Sequence, residues 1–313
     1  MPDQSATEPS ASADALSRFV ELAGLTPRLD LRCQFAGGYA VDHGPAAAGE
    51  IVFHLVLAGR CVVERDGAEA VGLEAGDFLA LPRGAAHRLR SEPAPTGALA
   101  PFELSSGGLL PLRRNAAGAA GLDLLCGRLS ASRAAEALLA TLPGALHARL
   151  ADARPAAELG AIVALIRAEV EAAQPGALSI VAALVRVLFT LALRAQTGRA
   201  GPGLLALLGD ARLAAAAQAL LAEPGRDWDM VQLAALATMS RATFMRHFVE
   251  RAGTTPGDFL TTLRVARAAE LLRRTRRSTG DIGMEVGYRS ESAFNKAFAR
   301  TLGVSPAAYR RAS

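Results

Sequence analysis

Four side chains in the first half of the 313-residue sequence could ligate a transition metal: His54, Cys61, His87 and Cys126. Two imidazoles and two thiolates suit tetrahedral zinc, the one cofactor these residue types suggest. None of the four belongs to a tight C-x-x-C pair, so a shared ion requires a fold that brings distant strands together. The alternative is two hydrogen-bonded histidines and two small buried hydrophobes. Cys33 is read as a core thiol. Three cysteines this far apart make no disulfide framework, which fits a reducing compartment and a cytoplasmic protein.

The elements around these residues are short and apolar. "EIVFHLVLAGRCVVERDGAEAVGLEAGDFLALPRGAAHRL" alternates strand-like runs with glycine, the pattern of an antiparallel barrel or jelly roll, and the domain is set at residues 15–150. Residues 1–14, "MPDQSATEPSASAD", lack both a basic and an apolar stretch and read as a disordered tail. Residues 151–195 carry two helical stripes. One is Leu159, Ile162, Val163, Ile166 and Val170; the other is Leu178, Val181, Leu184, Val185, Leu188 and Leu191, with a Gln-Pro-Gly turn between them. A hairpin this apolar needs a partner, and the expectation is its own copy in a homodimer rather than the barrel. Arg186 interrupts the most apolar run, so no membrane partner is expected. Residues 196–204 read as a flexible linker.

The second half repeats itself. Ser240/Ser290, Phe244/Phe294, Phe248/Phe298, Gly253/Gly303, Pro256/Pro306 and Phe259/Tyr309 keep a constant offset. Each copy reads as a short helix, a turn, a serine N-cap and a second helix whose two phenylalanines, at i and i+4, point to a core. The outward residues are then Arg241, Ala242, Met245 and Arg246 in the first copy and Glu291, Ser292, Asn295 and Lys296 in the second. Between the copies, "GDFLTTLRVARAAELLRR" reads as a rigid helical connector. From Gly225 onward there are 15 Lys and Arg against 8 Asp and Glu, leaving 19 against 22 before it, so the repeated part is the basic part. A polyanion is the partner this suggests. Two helix-turn-helix units on one connector can read successive major-groove segments about 34 Å apart. Arg273, Arg274, Arg276 and Arg277 are a solvated face or phosphate contacts.

Residues 205–313 are identified as a DNA-binding domain of the AraC family of transcription regulators. The match rests on "M-S-R-x-x-F-x-R-x-F" at Met239 to Phe248, "R-x-x-x-A-x-x-L-L" at Arg264 to Leu272, "I-G-x-x-V-G-Y" at Ile282 to Tyr288, and "G-V-S-P-x-x-Y-R" at Gly303 to Arg310. The sequence departs from that pattern at Thr238, where glycine is usual, and at Gly283, where alanine is usual. The resemblance implies DNA contacts from Ser240, Arg241, Ala242, Met245, Arg246, Arg289, Ser290, Glu291, Ser292, Asn295 and Lys296. Arg246 and Lys296 then suit guanine and Asn295 adenine, while Ala242 and Met245 can meet only thymine methyls. Gly76 to His87, "G-x5-P-x-G-x-x-H", resembles the second cupin motif. The first motif, which should supply two more histidines and a carboxylate, offers only His54, so oxygenase chemistry is not expected.

The fold class expected is therefore α+β and multidomain: a cupin-like β-barrel, a helical hairpin and an all-α double helix-turn-helix domain. The resemblance implies a bacterial one-component regulator rather than an enzyme. Its partners would be double-stranded DNA, a second copy, a small-molecule effector and RNA polymerase. The alternatives are a cupin metalloenzyme with an accessory DNA-binding domain, or a cupin that serves only to dimerise.

Overall fold

The computed structural model describes residues 14–106, 108–115, 118–149, 156–199 and 201–312. All but the last residue of the expected tail, and the start of the hairpin segment at 151–155, lie outside these. The chain divides into two compact units, residues 23–206 and residues 207–313, and the N-terminal segment up to Leu22 counts with the second. Helix α1 (Ala15–Ala23) thus lies almost wholly outside the sheet-rich unit, although the sequence places it there.

The first unit holds eleven strands among the described residues: β1 (Thr26–Phe35), β2 (Ala40–His43), β3 (Glu50–Ala58), β4 (Arg60–Glu64), β5 (Val71–Glu74), β6 (Phe78–Leu81), β7 (His87–Arg90), β8 (Phe102–Ser105), β9 (Leu112–Asn115), β10 (Leu122–Ser130) and β11 (Leu146–Ala148). They form a seven-stranded sheet, β11-β6-β3-β10-β1-β9-β8, and a four-stranded sheet, β2-β7-β4-β5. No ladder joins the two sheets among the described residues, so of the barrel and the jelly roll that the sequence suggests, the arrangement is the two-sheet one. One pair, β1 with β9, is parallel where the sequence suggested an all-antiparallel unit. Alternation explains the core: on β1 Cys33 and Phe35, and on β10 Leu122, Leu124 and Cys126, face the other sheet at period two. Residues of the opposite parity, such as Leu55 and Leu125, are also fully buried, because the outer face of the large sheet is covered too.

The cover is helical. After a 3-10 turn (Arg133–Ala135), α2 (Glu136–Leu139) and β11, the hairpin α3 (Ala156–Ala172) and α4 (Ala177–Gln196) follows, and α4 packs on β1, β6 and β11. Val181, Val185, Leu188, Phe189 and Leu193 are buried there, each contributing about 1.5–3 kcal/mol. Of the stripe expected to face a second copy, Val181, Val185 and Leu188 are therefore buried within the chain itself. Length and composition would let α4 cross a bilayer, but the sheet and α3 cover one side of it. The expected linker is not loose either. Gly198 N–H bonds to Leu205 O (3.1 Å), Leu204 N–H to Thr141 O (3.3 Å), and Leu204 and Leu205 are buried. The boundary between units falls later, inside α5 (Leu204–Gly209).

The second unit continues with α6 (Ala214–Ala222), α7 (Met230–Leu236), α8 (Arg241–Ala252), α9 (Pro256–Arg274), α10 (Thr279–Glu285), α11 (Glu291–Leu302) and α12 (Pro306–Ala312). The caps are those the sequence implies. Ser240 accepts from Thr243 N–H and Ser290 from Ala293 N–H, while Gly253 and Gly303 end α8 and α11 in the left-handed region. Thr255 and Pro256 start α9. The repeat, however, is not of one constant offset. Thr238 and Gly287 are equivalent, each two residues past its helix with φ +53° and +90°. Met239 and Tyr288 each donate back to the helix, at Ala234 O and Gly283 O. The offset is thus 49 before the turn and 50 after it, and Arg289 is the extra residue.

Gly283 and Gly287 have steric reasons. A Cβ on Gly283 would come within 2.9 Å of Phe294 Cβ, so the departure from alanine lets α10 and α11 approach closely. A Cβ on Gly287 would meet Gly225 O at 2.5 Å and the Arg264 guanidinium. Gly287→Ala, opposed by both φ and space, should cost about 2 kcal/mol or more. Thr238→Gly, which relieves the left-handed threonine but loosens the unfolded chain, should shift stability by less than about 1 kcal/mol. Thermal melts of the two variants check this contrast.

Candidate DNA-binding surface and histidine cluster

The inward phenylalanines set the outward faces. Phe244 and Phe248 have ring centroids 5.6 Å apart, Phe294 and Phe298 the same, and all four are fully buried. Phe248 then meets Phe259 of α9, and Phe298 meets Tyr309 of α12. Rotating 3.6 residues per turn from these anchors exposes Ser240, Arg241, Ala242 and Arg246 on α8, with Met245 half-buried. On and before α11, Arg289, Ser290, Glu291, Ser292 and Lys296 are exposed and Asn295 is half-buried. The two sets occupy corresponding surfaces of α8 and α11, as the repeat requires.

Their charges are not equally available. Lys296 and Arg241 make no ion pair among the described residues, and Arg246 only a 4.0 Å contact with Glu250. Arg289 is bound to Asp227 at 2.6 Å, both ends exposed. Glu291 is engaged structurally: Thr279 Oγ1 donates to its carboxylate at 2.7 Å, tying α10 to the start of α11. Of the four arginines at the end of α9, all exposed, Arg274 pairs with Glu270 at 3.0 Å and Arg277 with Glu285. Arg273 and Arg276 have no such partner among the described residues. Surface pairs of this kind are worth at most about 1 kcal/mol, so a phosphate can compete for all four, most readily for Arg273 and Arg276.

In the sandwich, register does what sequence spacing could not. His43 lies directly across from His87 on β2 and β7, and Cys126 directly across from His54 on β10 and β3. These two cross-strand pairs belong to opposite sheets and face each other through the core. His54 Nε2 and His87 Nε2 are 2.8 Å apart, His54 Nδ1 is 3.2 Å from Cys126 Sγ, and the His43 ring stacks on His87 with centroids 4.6 Å apart. His54 and His87 are buried and His43 is half-buried.

Three of the four metal candidates therefore meet, but not as a two-imidazole, two-thiol site. Cys126 touches the Nδ1 side of the His54 ring and His87 the Nε2 side, so one ion held between the histidines is out of its reach. Cys61 is buried among core residues and stands outside the histidine group. Cys33 adjoins Cys126. That contact, followed by burial, holds the Cys126 thiol well above its usual range. Burial and nearby Asp77 push the Cys61 thiol up to about 12. Sequence reasoning missed His43. The available trace was its parity with Val41 in "YAVDH", which puts both on the core side of one short strand.

A cupin-like sandwich joined to a pair of helix-turn-helix units defines a DNA-binding transcription regulator with a ligand-sensing domain. Residues 14–198 match a family described as Cupin, which takes in the helical hairpin, and residues 233–312 match a Helix-turn-helix domain family. An uncharacterized HTH-type transcriptional regulator of Haemophilus influenzae is 35% identical over 300 residues, 95% of this chain and 98% of that protein. The RCS-specific HTH-type transcriptional activator RclR of Escherichia coli is 30% identical over 302 residues, 95% and 97% of the two chains. The HTH-type transcriptional regulator MtrA of Neisseria gonorrhoeae is 31% identical over 305 residues, 95% and 98%. The chain belongs to the AraC-type HTH transcriptional regulators.

Two kinds of contact should fail in different ways. Lys296→Ala or Arg246→Ala should cost about 1–3 kcal/mol on the cognate site and relax sequence choice only at that unit's segment. Arg273→Ala or Arg276→Ala should weaken binding to all sequences alike and flatten its salt dependence. Binding isotherms on cognate and scrambled DNA at several salt concentrations separate the two.

Proposed function

We propose that this regulator binds a two-part operator as a homodimer in the cytoplasm, each chain placing α8 and α11 in successive major-groove segments. A small-molecule, metal or redox signal at the sandwich shifts its DNA affinity, and RNA polymerase is the downstream partner. The observation that carries the DNA reading is the pair of equivalent helices, each anchored by two buried phenylalanines and presenting exposed polar and basic residues. In this reading Arg246 and Lys296, both exposed, donate to guanine, and half-buried Asn295 reads adenine at closer approach. Met245 and Ala242 leave the first unit with less hydrogen-bonding capacity, so the second unit carries more of the discrimination. Selection from a randomised operator pool with the full chain should return two conserved segments about one helical turn apart, the sharper one assigned to α11. A pool that returns no shared sequence would overturn the reading.

The homodimer is supported by what α3 and α4 leave uncovered. Ile180, Leu184, Val187 and Leu191 follow one another at spacings of four and three along α4. Ile180 and Val187 are exposed, Leu184 and Leu191 half-buried, and Leu165 of α3 is exposed. Four apolar residues on one helix stripe are more than scattered surface hydrophobes. Leu184→Glu with Val187→Glu should give a folded monomer that binds a half-site weakly. Leu188 is unsuitable for such a test, because it is fully buried in the chain's own core. Sedimentation of the wild type as a monomer at micromolar concentration would sink the dimer.

A further inference from the structure

We propose that His43, His54 and His87 bind one divalent first-row transition-metal ion, with zinc as the reference case and a coordination position left open toward a surface groove. The first support is placement. One ring nitrogen from each residue lies within 4.8 Å of the others, and the His54 and His87 Nε2 atoms are 2.8 Å apart. Widening that contact by about 0.5 Å gives the roughly 3.3 Å that separates two nitrogens on a tetrahedral ion with bonds of 2.0–2.1 Å.

The second support is the outer shell. A metal-bound imidazole donates its other N–H to a fixed acceptor. His87 Nδ1 is 2.9 Å from Ala85 O, which can only accept, so Nδ1 carries the proton and Nε2 presents its lone pair inward. His54 Nδ1 faces Cys126 Sγ at 3.2 Å. Without an ion, His54 Nε2–H donates to His87 Nε2 and Cys126 S–H to His54 Nδ1; an ion between the rings replaces the first proton, and His54 in its other tautomer then donates from Nδ1 to the sulfur and aims a second lone pair at the same point. The thiol is thus an orienting group rather than a ligand.

The third support is access. His43 and His87 line an open groove of about 480 Å³ together with Asp42, Glu64, Arg65 and Arg88. An ion can enter there, and a fourth ligand from solvent can complete the coordination that three histidines leave unfinished. Such a site would serve as the sensing input of the regulator, a consequence that rests on the function proposed above, whereas metal binding itself does not.

The test uses the full chain stripped with a chelator and titrated with zinc alone by calorimetry, with cobalt as a spectroscopic substitute. The wild type should bind one ion per chain, and its cobalt form should lack a thiolate-to-metal charge-transfer band. His43→Gln, the least buried replacement and so the least risk to folding, and His87→Gln should bind none at the same concentration while melting as cooperatively as the stripped wild type. Cys126→Ser should still bind one ion, about 10- to 100-fold more weakly. No zinc in the wild type, full stoichiometry in His43→Gln, or a thiolate band with cobalt would each overturn the site. Stripped protein that selects operator DNA yet takes up no zinc overturns the metal site alone. Protein that binds zinc but selects no DNA supports the site and removes the regulatory role.

Discussion

The burial of α9 is the constraint on which the DNA-binding unit depends. Phe259, Leu263, Val265, Ala268 and Leu272 are buried on different sides of it, and α6, α8, α10, α11 and α12 all pack against it. Each helix-turn-helix unit taken alone offers too little apolar surface to hold its second helix at a defined angle. Sharing one nineteen-residue helix gives both units a common core. A polar clamp adds to this. Arg264 of α9 donates from Nε to Pro224 O at 2.8 Å and from Nη2 to Arg226 O at 2.9 Å, fixing the loop that precedes α7. Gly225 in that loop lies against Glu285 O and the Gly287 turn, where neither glycine has room for a Cβ. The loop entering the first unit therefore abuts the turn of the second, and the separation of α8 and α11 is a property of packing rather than of a flexible joint.

In the sandwich the corresponding constraint is register. A one-residue slip of β2 against β7 would send His43 to the outer face, and a slip of β3 against β10 would do the same to His54. Both strands are pinned by apolar neighbours of the same parity, Val41 beside His43 and Val56 beside His54. The polar cluster is thus held by the hydrophobic pattern around it, and its members bond to one another because no water-filled space surrounds His54. Neutral imidazoles in such a place can donate and accept at once, so the group tolerates burial that a charged side chain would resist.

Much of the second unit was legible because its determinants are local. Serine caps, left-handed glycines, Thr-Pro helix starts and phenylalanines at i, i+4 each act within one turn of chain, and the structure has all of them where the sequence implies. The extra residue at Arg289 was hidden, since the six matched positions that establish the repeat all lie after the turn. The tie between Thr279 and Glu291 was also hidden, because it depends on how α10 and α11 cross.

Sequence by itself determined a strand-rich first unit and an all-helical second one, the caps, the faces of α8 and α11 and the apolar identity of the sandwich core, because periodicity and backbone preference are short-range. Tertiary structure alone decided which polar residues meet. His43, His54, His87 and Cys126 come from four strands in two sheets, and cross-strand pairing with sheet-on-sheet packing places them. It also decided that α4 buries one side against α3, β1, β6 and β11 and leaves an apolar stripe outside. An amphipathic helix records how much surface must be buried, and only the packed chain says against what.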